Sequence, residues 1–125
     1  MLRNRDAVAN LAVRDLDRAR AFYEGILEFV PIDQQGGDLI AYRSGNTVFN
    51  VYASAEAGTN RATALTWAVG DQLRTIAGQL KAKGIRFEHY TLPGLTLDGD
   101  VHVGDRMEVA WFKDPDGNIL NLVSG

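Results

Sequence analysis

The chain has 125 residues, 46% of them hydrophobic, enough for one compact domain with a real core and too few for two ordinary ones. Thirteen Lys and Arg stand against 16 Asp and Glu, a net charge of -3, which provides no basic field to hold a nucleic-acid backbone. Cysteine is absent, so disulfides, thiolate metal sites and cysteine nucleophiles are excluded.

At the N-terminal end, apolar runs are interrupted by Asn10, Arg14 and Asp15, and neither a signal peptide nor a membrane span is read there; a cytoplasmic protein is expected. Residues 7–13 form a short β-prone run, and Asp15 follows as a helix N-cap. Leu16, Ala19, Phe22, Tyr23, Ile26 and Leu27 then recur at steps of three and four, the stripe of an amphipathic helix. Gly25 is expected to end the regular helix early. Strand-like runs follow at 29–34, 38–43 and 47–53, the last two joined by a Gly-first turn at Gly45-Asn46.

The second half opens in the same way. Residues 63–69 read as a strand, Asp71 as a cap, and Leu73, Ile76, Ala77 and Leu80 as a helical stripe that Lys81, Lys83 and Gly84 close. Val13 and Val69, Asp15 and Asp71, and Phe29 and Ile85 are each 56 residues apart, the constant offset of an internal repeat. Strands are expected at 86–90, 107–113 and 118–123. The last two meet at Asp114-Pro115-Asp116-Gly117-Asn118, where Pro sets φ and Gly takes the left-handed position.

Each half is therefore β-α-β-β-β, with modules at about 5–55 and 61–125. Asn50 and Asn121 occupy equivalent places on the last strands but lie 71 apart, so about fifteen extra residues enter the second module. The turn-rich stretch 91–106 is taken as that insertion, either a long surface loop or a flap over a site.

Two strings at opposite ends of this repeat carry a resemblance. They are Leu11-Ala12-Val13-Arg14-Asp15-Leu16-Asp17-Arg18-Ala19-Arg20-Ala21-Phe22-Tyr23 and Trp111-Phe112-Lys113-Asp114-Pro115-Asp116-Gly117-Asn118. With them the chain resembles the vicinal oxygen chelate superfamily of glyoxalases, extradiol dioxygenases, and fosfomycin- and bleomycin-resistance proteins. The resemblance implies an α+β fold in which two βαβββ modules form an open, barrel-like cavity with helices outside.

On that reading strand alternation turns Val8, Asn10 and Ala12 toward the cavity in the first module, and Ala62, Ala64, Thr66 and Ala68 in the second. Turn geometry sets Tyr42 opposite Phe49, Arg43 opposite Val48, Phe112 opposite Leu120 and Trp111 opposite Asn121. The candidate ligand-binding residues are Asn10, Arg43, Asn50 and Tyr52 from the first module, and Thr66, Trp111 and Asn121 from the second. A competing reading has Trp111 simply filling a narrow cavity while Asn50 and Asn121 satisfy one another.

Metal-dependent members of the family place His, Gln or Glu side chains at positions that here are Val8, Asn50, Ala64 and Asn121. Val and Ala bring no donor atom, and two neutral amides make a poor divalent site. No metal, no cofactor and no catalytic residue is therefore expected. Two histidines remain: His89 reads as an ordinary strand residue, and His102, with Asp100 or Asp105, as a possible metal or acid–base group. Glu108 would be a base only in a different register.

The expectation is a metal-independent binding protein of bleomycin-resistance-like architecture, a homodimer that holds a small organic molecule between its modules. With Arg43 on a mostly neutral wall, a neutral, aromatic or anionic ligand fits better than a cationic one. The alternatives are a metal-dependent lyase, isomerase or dioxygenase using His102, Asp105 and Glu108, and a purely structural or partner-binding dimer.

Overall fold

The computed structural model describes residues 1–35 and 37–125, with the backbone alone at 33–35. It divides into two compact units, Met1–Thr59 and Asn60–Gly125. Unit 1 has the expected βαβββ order, and unit 2 follows the same plan with two extra strands after its helix, so the chain is α+β. Among the described residues no helix is long and apolar enough to cross a membrane.

Unit 1 contains β1 (Ala9–Val13), α1 (Leu16–Arg20), β2 (Pro31–Gln35), β3 (Leu39–Ser44) and β4 (Thr47–Ala53). The sheet order is β1-β4-β3-β2, with β1 parallel to β4 and the others antiparallel. Asp15 caps α1 as expected: its carboxylate accepts the Asp17 and Arg18 amides at 2.9 and 3.4 Å. Regular α geometry ends sooner than Gly25, at Arg20, where the backbone widens into a π-helical turn over Ala21–Ile26.

That turn holds two consecutive residues, Phe22 and Tyr23, in the core, and Gly25 lies inside it rather than terminating it. Left-handed backbone comes instead at Glu28, φ 68°. Consequently the expected strand at 29–34 starts only at Pro31, a strand-opening position that suits a residue with no amide to donate. Gly45 adopts φ 58°, and the register is as expected, Tyr42 opposite Phe49 and Arg43 opposite Val48. Leu11, Val13, Ile40, Tyr42, Phe49 and Val51 are buried on one face of the sheet, where Tyr42 packs with Tyr23 and Phe49 at ring distances of 6.0 and 5.6 Å.

Unit 2 contains β5 (Thr63–Ala68), α2 (Leu73–Ala82), β6 (Phe87–Glu88), β7 (Thr96–Asp98), β8 (Val101–Val103), β9 (Glu108–Lys113) and β10 (Ile119–Val123). The order is β5-β10-β9-β8-β7, with β6 also paired to β9. Asp71 does not cap α2. Gly70, at φ 59°, opens a 3-10 turn over Gly70–Gln72, and the helix begins at Leu73 with no side-chain cap. Its C-terminal end is as expected, with Gly84 at φ 97°.

The stretch 91–106 is not a plain loop. Thr96–Asp98 and Val101–Val103 form a hairpin around Gly99, φ 63°, and β8 pairs with β9 through His102 and Val109, extending the sheet sideways. The strand expected at 86–90 shrinks accordingly to Phe87–Glu88, because β6 and β8 divide one edge of β9 between them.

The closing hairpin has the expected register: Phe112 faces Leu120 and Trp111 faces Asn121. Its turn is secured by Asp114, buried, whose carboxylate accepts the Asp116 and Asn118 amides at 2.9 Å and the Asn118 side-chain amide at 2.8 Å. Gly117 supplies the positive φ, 93°.

Candidate functional site

Alternation along β4 puts Val48, Asn50 and Tyr52 on the face opposite the buried Phe49 and Val51. Asn10 lies directly across from Asn50, Ala12 across from Tyr52, and Arg43 across from Val48. The four candidates of the first module therefore share one sheet face. Two of them touch: Asn50 Nδ2 donates to Asn10 Oδ1 at 3.2 Å.

The equivalent row in unit 2 runs Thr66, Asn121, Trp111, Glu88 across four strands. Asn10 and Thr66 are 56 residues apart, so the two rows are the repeat mates that the sequence offset implies. Asn121 is buried, and its Oδ1 has no hydrogen-bond partner among the described residues. Trp111 is anchored by its ring nitrogen, which donates to Thr63 Oγ1 at 3.1 Å.

Thr63 escapes strict alternation. Pairing between β5 and β10 shifts between Ile119 and Leu120, so Ala64 becomes the extra residue of a bulge and Thr63 comes to the side of Trp111. No sequence signal marks that bulge.

Around Trp111 stand two further aromatics that the sequence reading left out of the site. Tyr90 meets the indole edge-on at 5.3 Å and 79°, and His102 does so at 4.8 Å and 85°. His102 is 1% exposed, and its Nε2 accepts the Tyr90 backbone amide at 2.9 Å. An accepting Nε2 requires a neutral ring with the proton on Nδ1. Among the described residues that Nδ1 is buried and unpaired, as is the Tyr90 hydroxyl, whose pKa is pushed up mainly by burial and then by the charge of Glu88. The clue to this cluster in the sequence is Asp98-Gly99-Asp100, a turn between short alternating runs, which would have placed His102 on a strand.

His102 does not pair with Asp100. That carboxylate instead meets His89 Nε2 at 2.8 Å and Lys81 at 3.3 Å, and these two partners, His89 first, hold its pKa below the ordinary range despite some burial. Glu108 is held by Arg74 at 2.9 Å and Asp105 lies on an exposed turn. The donors required for non-standard metal or acid–base chemistry are thus dispersed or engaged.

The four positions at which the resemblance implies metal ligands do not fit an ion here. Val8 and Ala64 have no donor atom, which leaves two neutral amide oxygens, those of Asn50 and Asn121, as the whole donor set of these four positions, with no carboxylate or imidazole. Among the described residues there is no group of three or more His, Cys, Asp or Glu placed to hold a metal.

Beside Trp111 lies an open groove of about 390 Å³, walled by Arg61, Thr63, Tyr90, Leu92 and Ile119 among others. It combines one cation, two rings, aliphatic surface and hydroxyls, the mixture usual in small-molecule sites.

A family model for the Glyoxalase/Bleomycin resistance protein/Dioxygenase superfamily matches residues 6–122. Among solved structures, the chain is similar to a bleomycin-binding protein complexed with bleomycin: identity is 23%, coverage is 96% of this chain and 98% of the other, and the TM-score is 0.69. A bleomycin resistance determinant encoded on the transposon Tn5 is 25% identical over 96% of this chain and 97% of the other, with a TM-score of 0.65. The fosfomycin resistance protein FosX from Mesorhizobium loti is 15% identical over 98% and 92%, with a TM-score of 0.68. No curated protein sequence matches the chain.

Proposed function

Because the chain belongs to the Glyoxalase/Bleomycin resistance protein/Dioxygenase superfamily, we propose that it is a metal-independent small-molecule-binding protein, working as a homodimer in the cytoplasm. The observation that carries this reading is the state of Asn121 and Trp111. An amide oxygen, buried and with no hydrogen-bond partner among the described residues, lies across from an indole anchored by Thr63, at a position where the resemblance implies His, Gln or Glu in metal-dependent members. An unpaired buried oxygen is costly, about 1–3 kcal/mol, and a donor on a ligand would relieve it. Asn10, Arg43, Asn50 and Tyr52 of unit 1 and Thr66 of unit 2 are the remaining ligand-facing residues of this reading.

Two solved neighbours are named for drugs, one as a bleomycin-binding protein complexed with bleomycin and one as a fosfomycin resistance protein. They support a small molecule as the kind of partner, and the residues here support binding without an ion.

Thermal unfolding against a panel of metals, glutathione adducts, catechols and antibiotics tests the proposal. A specific ligand at 100 times its Kd should add about 2.7 kcal/mol of stability. Elemental analysis of protein purified without chelator should find far less than one divalent ion per chain. A stoichiometric ion, or a panel with no stabilising organic compound, would overturn the reading.

A further inference from the structure

The Trp111 groove is organised before any ligand arrives. The indole has its only donor committed to Thr63 and is braced edge-on by Tyr90 and His102, while His102 is itself fixed by the Tyr90 amide. What such an indole still offers is ring surface, suited to a flat unsaturated group. Leu92 and Ile119 add aliphatic wall.

Charge in the groove is one-sided. Arg61 lines it and has no ion-pair or hydrogen-bond partner among the described residues, and no Asp or Glu is part of the wall. Of the other side chains there, Thr63 and Thr91 carry hydroxyls, while the Tyr90 hydroxyl is buried away from the opening. A cationic ligand would meet Arg61 with nothing to balance it. A phosphate dianion would call for a second cation. One planar guanidinium matches one carboxylate, with two parallel N–H donors for its two oxygens.

Resting on the small-molecule reading above, we propose that this groove selects a flat aromatic monocarboxylate, its ring against Trp111 and its carboxylate on Arg61. The groove volume, about 390 Å³, is near the lower end for ligand pockets, which suits one or two rings rather than a glycopeptide. The overall charge of -3 does not draw anions from a distance, so the preference is local to Arg61.

Calorimetric titration with three probes of one shape tests it: 2-naphthoate, 2-naphthamide and 2-naphthylmethylammonium. The acid is expected to bind at least about tenfold more tightly than the amide, as a charge-assisted hydrogen bond implies, and the ammonium not at all. Arg61→Gln should bring the acid down to the level of the amide, while Arg86→Gln, at an exposed position outside the groove, leaves the difference intact. Trp111→Phe should weaken acid and amide alike. Equal binding of acid and amide, or a preference that survives Arg61→Gln, overturns the proposal. Should none of the probes bind while the thermal panel yields another ligand, the acid specificity falls and small-molecule binding stands. If neither experiment yields a ligand, both fall.

Discussion

Tyr42 shows how far one side chain can tie unit 1 together. Its hydroxyl donates to Glu24 Oε2 at 2.7 Å, and the same oxygen accepts Arg20 at 2.9 Å, so a core tyrosine on β3 is bonded to the π-helical turn. Burial, then the Glu24 hydrogen bond and charge, raise its pKa well above the ordinary 10.0. The folded protein therefore keeps this proton where the unfolded chain releases it. Its contribution is whole below pH 10 and is lost as pH rises from there toward the higher folded value. Denaturant unfolding should show wild type losing stability above pH 10 more steeply than Tyr42→Phe, with the variant about 1 kcal/mol weaker at pH 8. Asn118 makes a comparable case in unit 2. Truncating it to Ala leaves the buried Asp114 carboxylate short of a donor, and the expected loss at neutral pH is about 1–3 kcal/mol, measured by the same denaturant unfolding.

At the scale of elements, the β7–β8 hairpin is clamped at both flanks of its turn. Arg74 joins Asp98 and Glu108, each at 2.9 Å, and Asp100 joins His89 and Lys81. Asp100 has a depressed folded pKa, so its contribution is present above the ordinary 3.8 and disappears as pH falls below that toward the folded value. Protection factors for amide hydrogen exchange over 96–103, taken relative to the intrinsic rate at each pH, should fall in wild type as pH drops below 3.8, whereas Asp100→Asn should be less protected at neutral pH and respond less to acid. These clamps were not legible in the sequence, because ion pairs spanning 24 or 34 positions leave no local mark. The hairpin itself was missed for another reason: β7 and β8 are three residues each, too short for alternation to stand out among turn formers. By contrast both closing hairpins were readable to the residue, since Gly45 and Gly117 dictate backbone geometry and geometry dictates register. Of the candidate site, the Asn50 and Asn121 rows followed from that register. Thr63 and Tyr90 did not, since a bulge brings the one to Trp111 and the hairpin's His102 holds the other.

For the molecule as a whole, the two units repeat a single plan with different endings. In each, the first strand pairs in parallel with the last, β1 with β4 and β5 with β10, so the last strand is interior. Ending translation after Asn118 would leave β5 and β9 with nothing between them. Limited proteolysis of that truncated chain should cut within 60–118, where the full chain resists, and equal resistance would show that β10 is dispensable. The same strand order also has a consequence during synthesis. The last strand of unit 1 is made by Ala53, but unit 2 waits for Ile119–Val123 before its sheet can close. At a ribosomal pace of about 5–20 residues per second, that is an interval of roughly 3–14 s. Throughout it the aromatic groove does not yet exist, and the nascent chain presents β-prone edges whose partner strand is still unmade.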